Sequence, residues 1–240
     1  VFLPYMIDGV YQNGRKKLFL DNYTWIIETL KMIKHLKNVN WIIKEHPQEI
    51  RYNTKSDYKL ILMEISKNNS HIKACPKNIN PFSLTRFTDI ALTCNGSPGL
   101  EYQSFGIPAI IAEKSYYSHF GFPNGPKNIF EYKKLLNTIH LVKKPKQNQI
   151  EKAKIILFVS YILSPVKATF LPDNIPEFES RMKLADEEKY WSKLIKNVKR
   201  FNFKKDPFRK MFEKQIFFKH RHTINFQSYK KLNKKLNDFS

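Results

Sequence analysis

From residue 1 to about 112, short apolar runs alternate with amphipathic stretches, and beyond that point the runs suited to strands stop. Residues 1–7 (VFLPYMI) read as a buried strand leading into a loop with Asp8, Gly9, Asn13 and Gly14. Asn22 is placed to cap a helix reaching about Leu36, because Trp25, Ile26, Thr29, Leu30 and Ile33 recur near helical spacing. Residues 40–44 (NWIIK) predict a second strand, ended by His46-Pro47. A helix over 56–67 and a short strand over 71–74 follow. Asn80-Pro81 has the form of a cap with proline at the first helical position, opening a short helix through Phe87. Residues 89–93 (DIALT) predict a strand, 98–105 a helix stopped by Gly106, and 108–112 (PAIIA) a further strand. Residues 127–138, 147–163 and 186–200 then read as helices.

Strands separated by helices imply a mostly parallel sheet with helices on both faces. The expected fold is therefore α/β, a Rossmann-like three-layer domain over 1–165, followed by a helical, basic extension over 166–240. Hydrophobic residues make up 42% of the chain, enough for a packed core rather than a disordered segment. Cys75 and Cys94 have no CxxC partner, so neither a disulfide scaffold nor a zinc module is expected, and a reducing cytoplasm suits them. Apolar runs such as 155–163 are too short to span a bilayer, and no signal-peptide pattern is present. The chain opens on Val1 in strand-like sequence, as expected of a fragment whose amino-terminal part is missing.

Charge changes the picture most. A formal charge of +21 favours polyanions: nucleic acid, anionic headgroups or phosphorylated substrates. An AT-rich coding sequence is the competing source of the lysines. No RNA-recognition signature, zinc-finger spacing or Gly-rich basic tract accompanies the charge, which leaves nucleic acid as a minor reading. Residues 187–240 hold sixteen Lys and Arg against five Asp and Glu, interleaved with aromatics. Such a tail fits an anionic membrane surface, and equally a helix packing back on another domain.

In parallel α/β sheets ligands sit where strands run into helices. Two such loops stand out. At Lys44-Glu45-His46-Pro47, the imidazole can meet a phosphate, base or ribose edge, and Pro47 stiffens the loop; a plain strand-ending turn is the alternative. At Asn95-Gly96-Ser97-Pro98-Gly99-Leu100-Glu101, small residues permit close backbone approach, Ser97 is a natural N-cap, and first-turn amides favour an anion. Glu101 is placed to reach a ribose hydroxyl, or simply to complement the helix dipole. No GxxxxGK[ST] and no early GxGxxG occurs, which argues against an ATPase or a dinucleotide-dependent oxidoreductase. The histidines show no metal-binding spacing, so no metal or cofactor is expected.

The run KEHP (44–47), then SLTRFTDIALTCNGSPGLEYQSFGIPAIIAEKSYYSHFGF (83–122), resembles the capsule polysaccharide biosynthesis proteins, GT-B-type glycosyltransferases related to the Kdo-transferring capsule enzymes. Asp8, Gly14 and FLDNYTW (19–25) fit the opening of that family's C-terminal domain, and the likeness covers roughly 1–160. The resemblance implies that His46 and Pro47 contact the donor nucleotide, and that Asn95, Gly96, Ser97 and Gly99 face its phosphate. It places Glu101 at the acidic position of the next helix, and Tyr117 with Gly121-Phe122 near the interdomain cleft. Asn95 and Pro98 flanking the loop's hydroxyl residue depart from the usual pattern.

The resemblance further implies a nucleotide sugar, CMP-linked by the family's example, as donor. A lipid-linked capsular or surface glycan is the acceptor, handled at the inner face of the cytoplasmic membrane. Asp8 and Glu45 are the candidates for a catalytic base; Asp8 is also read as part of an Asp-Gly turn, and strand alternation can point Glu45 away. Neighbouring readings are a teichoic-acid-type polyol-phosphate transferase and a UDP-sugar epimerase. A noncatalytic basic module for polyanions or membranes is the reading from another class.

Overall fold

The computed structural model describes residues 1–6, 18–52, 57–122, 125–164, 170–171, 184–207, 209 and 213. The chain divides into two compact units, Val1–Lys154 and Ile155–Ser240, which are taken in turn.

Unit 1 is mixed α/β with short parallel strands. β1 (Trp41–Ile43) pairs with β2 (Ile72–Ala74), and β3 (Ala91–Thr93) pairs with β4 (Ala109–Ile111), both in parallel. The strand expected over 1–7 is reduced to a parallel bridge at Phe2, which contacts Lys44 on one side and Thr93 on the other. Leu3 N–H donates to the Lys44 carbonyl at 2.9 Å and Phe2 N–H to the Leu92 carbonyl at 2.8 Å. Residues 1–3 thus lie between β1 and β3, giving the spatial order β2, β1, residues 1–3, β3, β4.

Side-chain alternation along these segments explains the core. Leu3, Trp41, Ile43, Leu92 and Ile110 face one cluster, built with Trp25, Ile26, Leu30, Leu62 and Leu136 from α1 (Asn22–Ile33), α3 (Tyr58–Asn68) and α5 (Ile129–Asn137). Phe2, Ala91 and Ala109 alternate to the other side, where they meet Tyr102 of α4 (Pro98–Ser104) and Leu84 of a 3-10 helix at Pro81–Arg86. Gly106, at φ 79°, stops α4 as expected.

Two termini differ from the sequence expectation. Asp21, not Asn22, caps α1: its Oδ1 accepts Thr24 N–H at 2.6 Å. Asn22 is instead the first helical residue, and its Nδ2 donates to the Tyr5 carbonyl at 2.8 Å. The His46-Pro47 turn also opens an unanticipated short helix, α2 (Pro47–Tyr52). The reason is local: the His46 carbonyl accepts Glu49 N–H at 3.0 Å and its ring nitrogen accepts Gln48 N–H, so the histidine works as an N-cap.

Tyr58, Tyr102 and Tyr132 are among the tyrosines sealed in unit 1. Tyr132 shares a 2.8 Å hydrogen bond with Thr29, and the Tyr102 hydroxyl donates to the Pro81 carbonyl at 2.7 Å. The Tyr58 hydroxyl is buried with no hydrogen-bond partner among the described residues. Burial raises all three phenols above their usual range, Tyr102 to about 12, and the carboxylates of Glu49 and Glu45 add to the rise at Tyr58. A raised folded-state pKa contributes stability that is intact below the unfolded value near 10 and lost as pH climbs toward 12. Spectrophotometric titration is expected to show these three of the chain's twelve tyrosines ionising only as the protein unfolds. A single transition with all tyrosines ionising together near pH 10, in folded protein, would contradict it.

α6 (Gln147–Phe158) runs across the division between the units, then widens to a π-helical turn at Val159–Leu163. In unit 2, α7 (Leu184–Lys199) is anchored through Asn197, whose Nδ2 donates to the Phe170 carbonyl at 3.1 Å. Phe201, just past the helix, packs edge-on against Phe170.

Candidate ligand site at the carboxyl ends of the strands

The bridge at Phe2 decides which loops meet. Lys44 directly follows β1 and Thr93 ends β3, and each flanks residue 2. The His46 turn and the 94–99 loop therefore leave the sheet on either side of residues 4–6, about 10 Å apart at two strand spacings. This is where the strand order reverses direction along the chain, the place at which α/β sheets open a crevice.

On the β1 side, His46 is fixed in two ways. Its Nδ1 accepts the Gln48 amide hydrogen at 3.1 Å, so in the neutral ring the hydrogen resides on Nε2. Its imidazole stacks on Tyr5, with ring centroids 5.9 Å apart and planes 27° from parallel. Pro47, exposed, takes the first helical position of α2. Lys44 turns away from this edge: it is buried, and its Nζ donates to the Pro76 and Lys77 carbonyls at 3.3 and 3.1 Å. Glu45 is half-buried, with Oε2 out of contact with solvent and without a hydrogen-bond partner among the described residues.

Glu49 carries a role that the sequence did not suggest. It is fully buried, its Oε1 accepts Met6 N–H at 2.6 Å, and its Oε2 stands 4.0 Å from Lys59 Nζ. One carboxylate thereby ties the segment after residue 3 to the helix that His46 caps. A carboxylate three positions beyond an N-cap candidate is the signal that could have found it.

On the β3 side, the expected amide nest does not form. Gly96 N–H donates to Thr93 Oγ1 at 3.3 Å, Gly99 N–H to the Gly96 carbonyl at 3.2 Å, and Leu100 and Glu101 N–H to the Ser97 carbonyl at 2.9 Å. The amides at the start of α4 are therefore spent within the loop. Ser97 is already helical (φ −56°, ψ −27°) and its side chain makes no cap bond, because the turn tightens one residue earlier than expected. What this loop offers a ligand is side chains: Ser97 Oγ, the Asn95 carboxamide and, one turn on, the half-buried Glu101.

The segment after β4 braces the loop from behind. Tyr117 is completely buried, and its hydroxyl donates to the Gly96 carbonyl at 2.7 Å, while Ser115 Oγ donates to the Asn95 carbonyl at 2.8 Å. Tyr117, expected beside the ligand, thus acts on the peptide that presents it. Gly99 is needed for packing: a Cβ there would collide with the Tyr117 hydroxyl and lie 2.8 Å from Ile111 Cγ1. Glu113 performs a similar bracing task, accepting Leu18 and Phe19 N–H at 2.6 and 2.9 Å. Neither Ser115 nor Glu113 was singled out by sequence; their proximity to the end of the PAIIA strand was the available clue. Asp8 lies outside the described residues.

A cleft of about 610 Å³ opens mainly toward the opposite, amino-terminal ends of the strands, with Asn38, Asn40, Asp89, Pro108 and His140 in its wall. Of the two strand-end loops picked out by sequence only Lys44 reaches its wall; His46, Asn95, Ser97, Glu101 and Tyr117 do not line it. Among the described residues no group of three His, Cys, Asp or Glu side chains could hold a metal ion, and no helix is long and apolar enough to cross a membrane. In comparisons with known proteins, no family model, no curated protein and no solved structure matches this chain.

Proposed function

We propose that the chain is the nucleotide-sugar-binding half of a GT-B-type glycosyltransferase, a Rossmann-like three-layer domain followed by a helical basic extension. The observation that carries this reading is the placement of residues 1–3 between β1 and β3, which sets the braced 94–99 loop across from the stacked His46. In this reading Nε2–H of His46, Ser97 Oγ and Asn95 grip the donor phosphate from two sides, and Glu101 takes a ribose hydroxyl. These donors would also stabilise the negative charge that develops on the departing nucleotide. A CMP-linked sugar is the proposed donor and a lipid-linked surface glycan the acceptor. The acceptor and the catalytic base would come from a further domain, so this chain alone binds nucleotide without turnover.

Calorimetric titration with CMP, CDP, UDP and GDP tests the reading. His46→Ala is expected to weaken the bound nucleotide ten- to a hundredfold, roughly the worth of one hydrogen bond to a charged group, and Ser97→Ala about fivefold. Preference for CMP supports the sugar transferase, and preference for UDP points to the epimerase instead. Failure of folded protein to bind any of the four would sink the transferase reading and leave a basic polyanion-binding module.

A further inference from the structure

The second unit carries a surface that the donor-site reading leaves unused. α7 spans 16 residues, and its packed side is set by buried Tyr190, by Asn197 bonded to the Phe170 carbonyl, and by the following Phe201 against Phe170. Turning about 100° per residue from that side brings Trp191, Ile195 and Val198 into a single stripe. All three are open to solvent, at 48%, 54% and 52% relative exposure. A solvent-open apolar stripe headed by tryptophan is costly in water and is an interaction surface unless something covers it.

The charges on the helix say what covers it. Asp186, Glu187 and Glu188 all fall at its start, and from residue 189 to 200 the sequence has no acid but holds Lys189, Lys193, Lys196, Lys199 and Arg200. By the same helical geometry Lys199 borders the stripe beyond Ile195 and Lys196 lies next round the helix, while Lys189, Lys193 and Arg200 fall on the opposite side, nearer Tyr190 and Asn197. The apolar stripe thus has a cationic border at Lys199 and Lys196. A hydrocarbon boundary bordered by anions satisfies both halves at once, whereas nucleic acid would meet the cations and leave Ile195 and Val198 in water.

We propose that α7 docks flat on an anionic lipid surface, with Trp191, Ile195 and Val198 entering the headgroup–acyl boundary and the lysines meeting lipid phosphates. The inference does not rest on the donor-site reading, since it concerns another unit and another ligand.

Tryptophan fluorescence of the 240-residue protein tests it cleanly. The chain has three tryptophans. Trp25 and Trp41 are buried at 0% and 5% exposure, so Trp191 reports any change at the surface. Vesicles of phosphatidylcholine containing phosphatidylglycerol should shift its emission to the blue, and brominated acyl chains should quench it. Phosphatidylcholine alone should do neither. Ile195→Glu, at an exposed site that the fold tolerates, is expected to weaken partitioning tenfold or more, from the lost burial of one aliphatic side chain. Lys199→Gln and Lys196→Gln should each weaken it about fivefold, and added salt should release the protein. Trp191→Phe should abolish the fluorescence change while sedimentation with the vesicles persists.

Sedimentation with vesicles that leaves Trp191 unquenched, or that Ile195→Glu does not alter, would overturn the proposal and assign lipid binding to other basic residues. A blue shift that grows with protein concentration in the absence of vesicles would also overturn it, and would place a second copy of the chain on this face. Tighter binding to RNA than to vesicles, again through Trp191, would overturn it in favour of nucleic acid.

Discussion

Gly99→Ala is expected to destabilise unit 1 by about 3 kcal/mol, read as a shift of the urea midpoint at constant slope. The added methyl would overlap the Tyr117 hydroxyl and press on Ile111 Cγ1 at 2.8 Å. Both obstacles are buried, Tyr117 at 0% and Ile111 at 4% exposure, so neither has open space to yield into. Pushing the phenol aside also breaks its 2.7 Å bond to the Gly96 carbonyl and releases the 94–99 loop from its brace. A second substitution makes the cause separable. In a Tyr117→Phe background the oxygen is gone, and the same Gly99→Ala step should cost at least about 1 kcal/mol less. The recovery should be partial, because Ile111 stays in the way. Equal costs in the two backgrounds would show that the glycine serves backbone conformation rather than clearance. Glycine's freedom at positive φ is not at stake: among the described glycines only Gly106 and Gly121 adopt it.

Loss of Glu49 should be comparably severe. Alanine there orphans Met6 N–H and empties a fully buried site, for an expected cost of about 3 kcal/mol. Glutamine keeps an acceptor oxygen at Oε1 and gives up the charge, which faces Lys59 at 4.0 Å, a distance at which that pair contributes modestly. Its expected cost is about 1 kcal/mol. Chemical denaturation of both variants decides the matter. Equal losses would make the charge, not the hydrogen bond to Met6, the dominant contribution. Because the Met6 segment carries Tyr5 onto His46, Glu49→Gln should also serve as a mild test of how firmly that stack must be held for nucleotide to bind.

Much of this arrangement was legible in the chain itself. The apolar runs at 1–7 and 89–93 announced strand-like segments, whose residues the structure buries on both sides, and the helical recurrence of Trp25, Ile26, Leu30 and Ile33 announced α1. Asn80-Pro81 and Gly106 punctuated the chain where expected, because their chemistry acts within a few residues. Misreadings came where a local preference met a longer-range partner. Asn22 is a good cap by composition, yet the Tyr5 carbonyl claims its amide, and Asp21 takes the cap. Ser97 has every attribute of a cap, but the Gly96 peptide tightens the turn before it. The site was legible as two loops at strand ends; its bracing was not. Tyr117, Ser115, Glu49 and Glu113 act through contacts many residues distant in sequence, and no periodicity reports such contacts.

The segment at residues 1–3 bears on how the sheet is assembled in time. Trp41 finds Ile72 across α2 and α3, and Ala91 finds Ala109 across α4 alone, contacts whose loop-closure entropy is modest. Phe2 must find Lys44 and then Thr93, the longest-range pairing of the ladder. The two local pairs can each form early, as separate half-sheets with one unsatisfied edge. Joining waits for the strand that is made first and used last. Refolding should therefore be slowed by changes at Phe2 and Leu3 far more than by changes at Ile72 or Ile110 of comparable thermodynamic cost, and the half-sheets awaiting that seam are the species most exposed to edge-to-edge association.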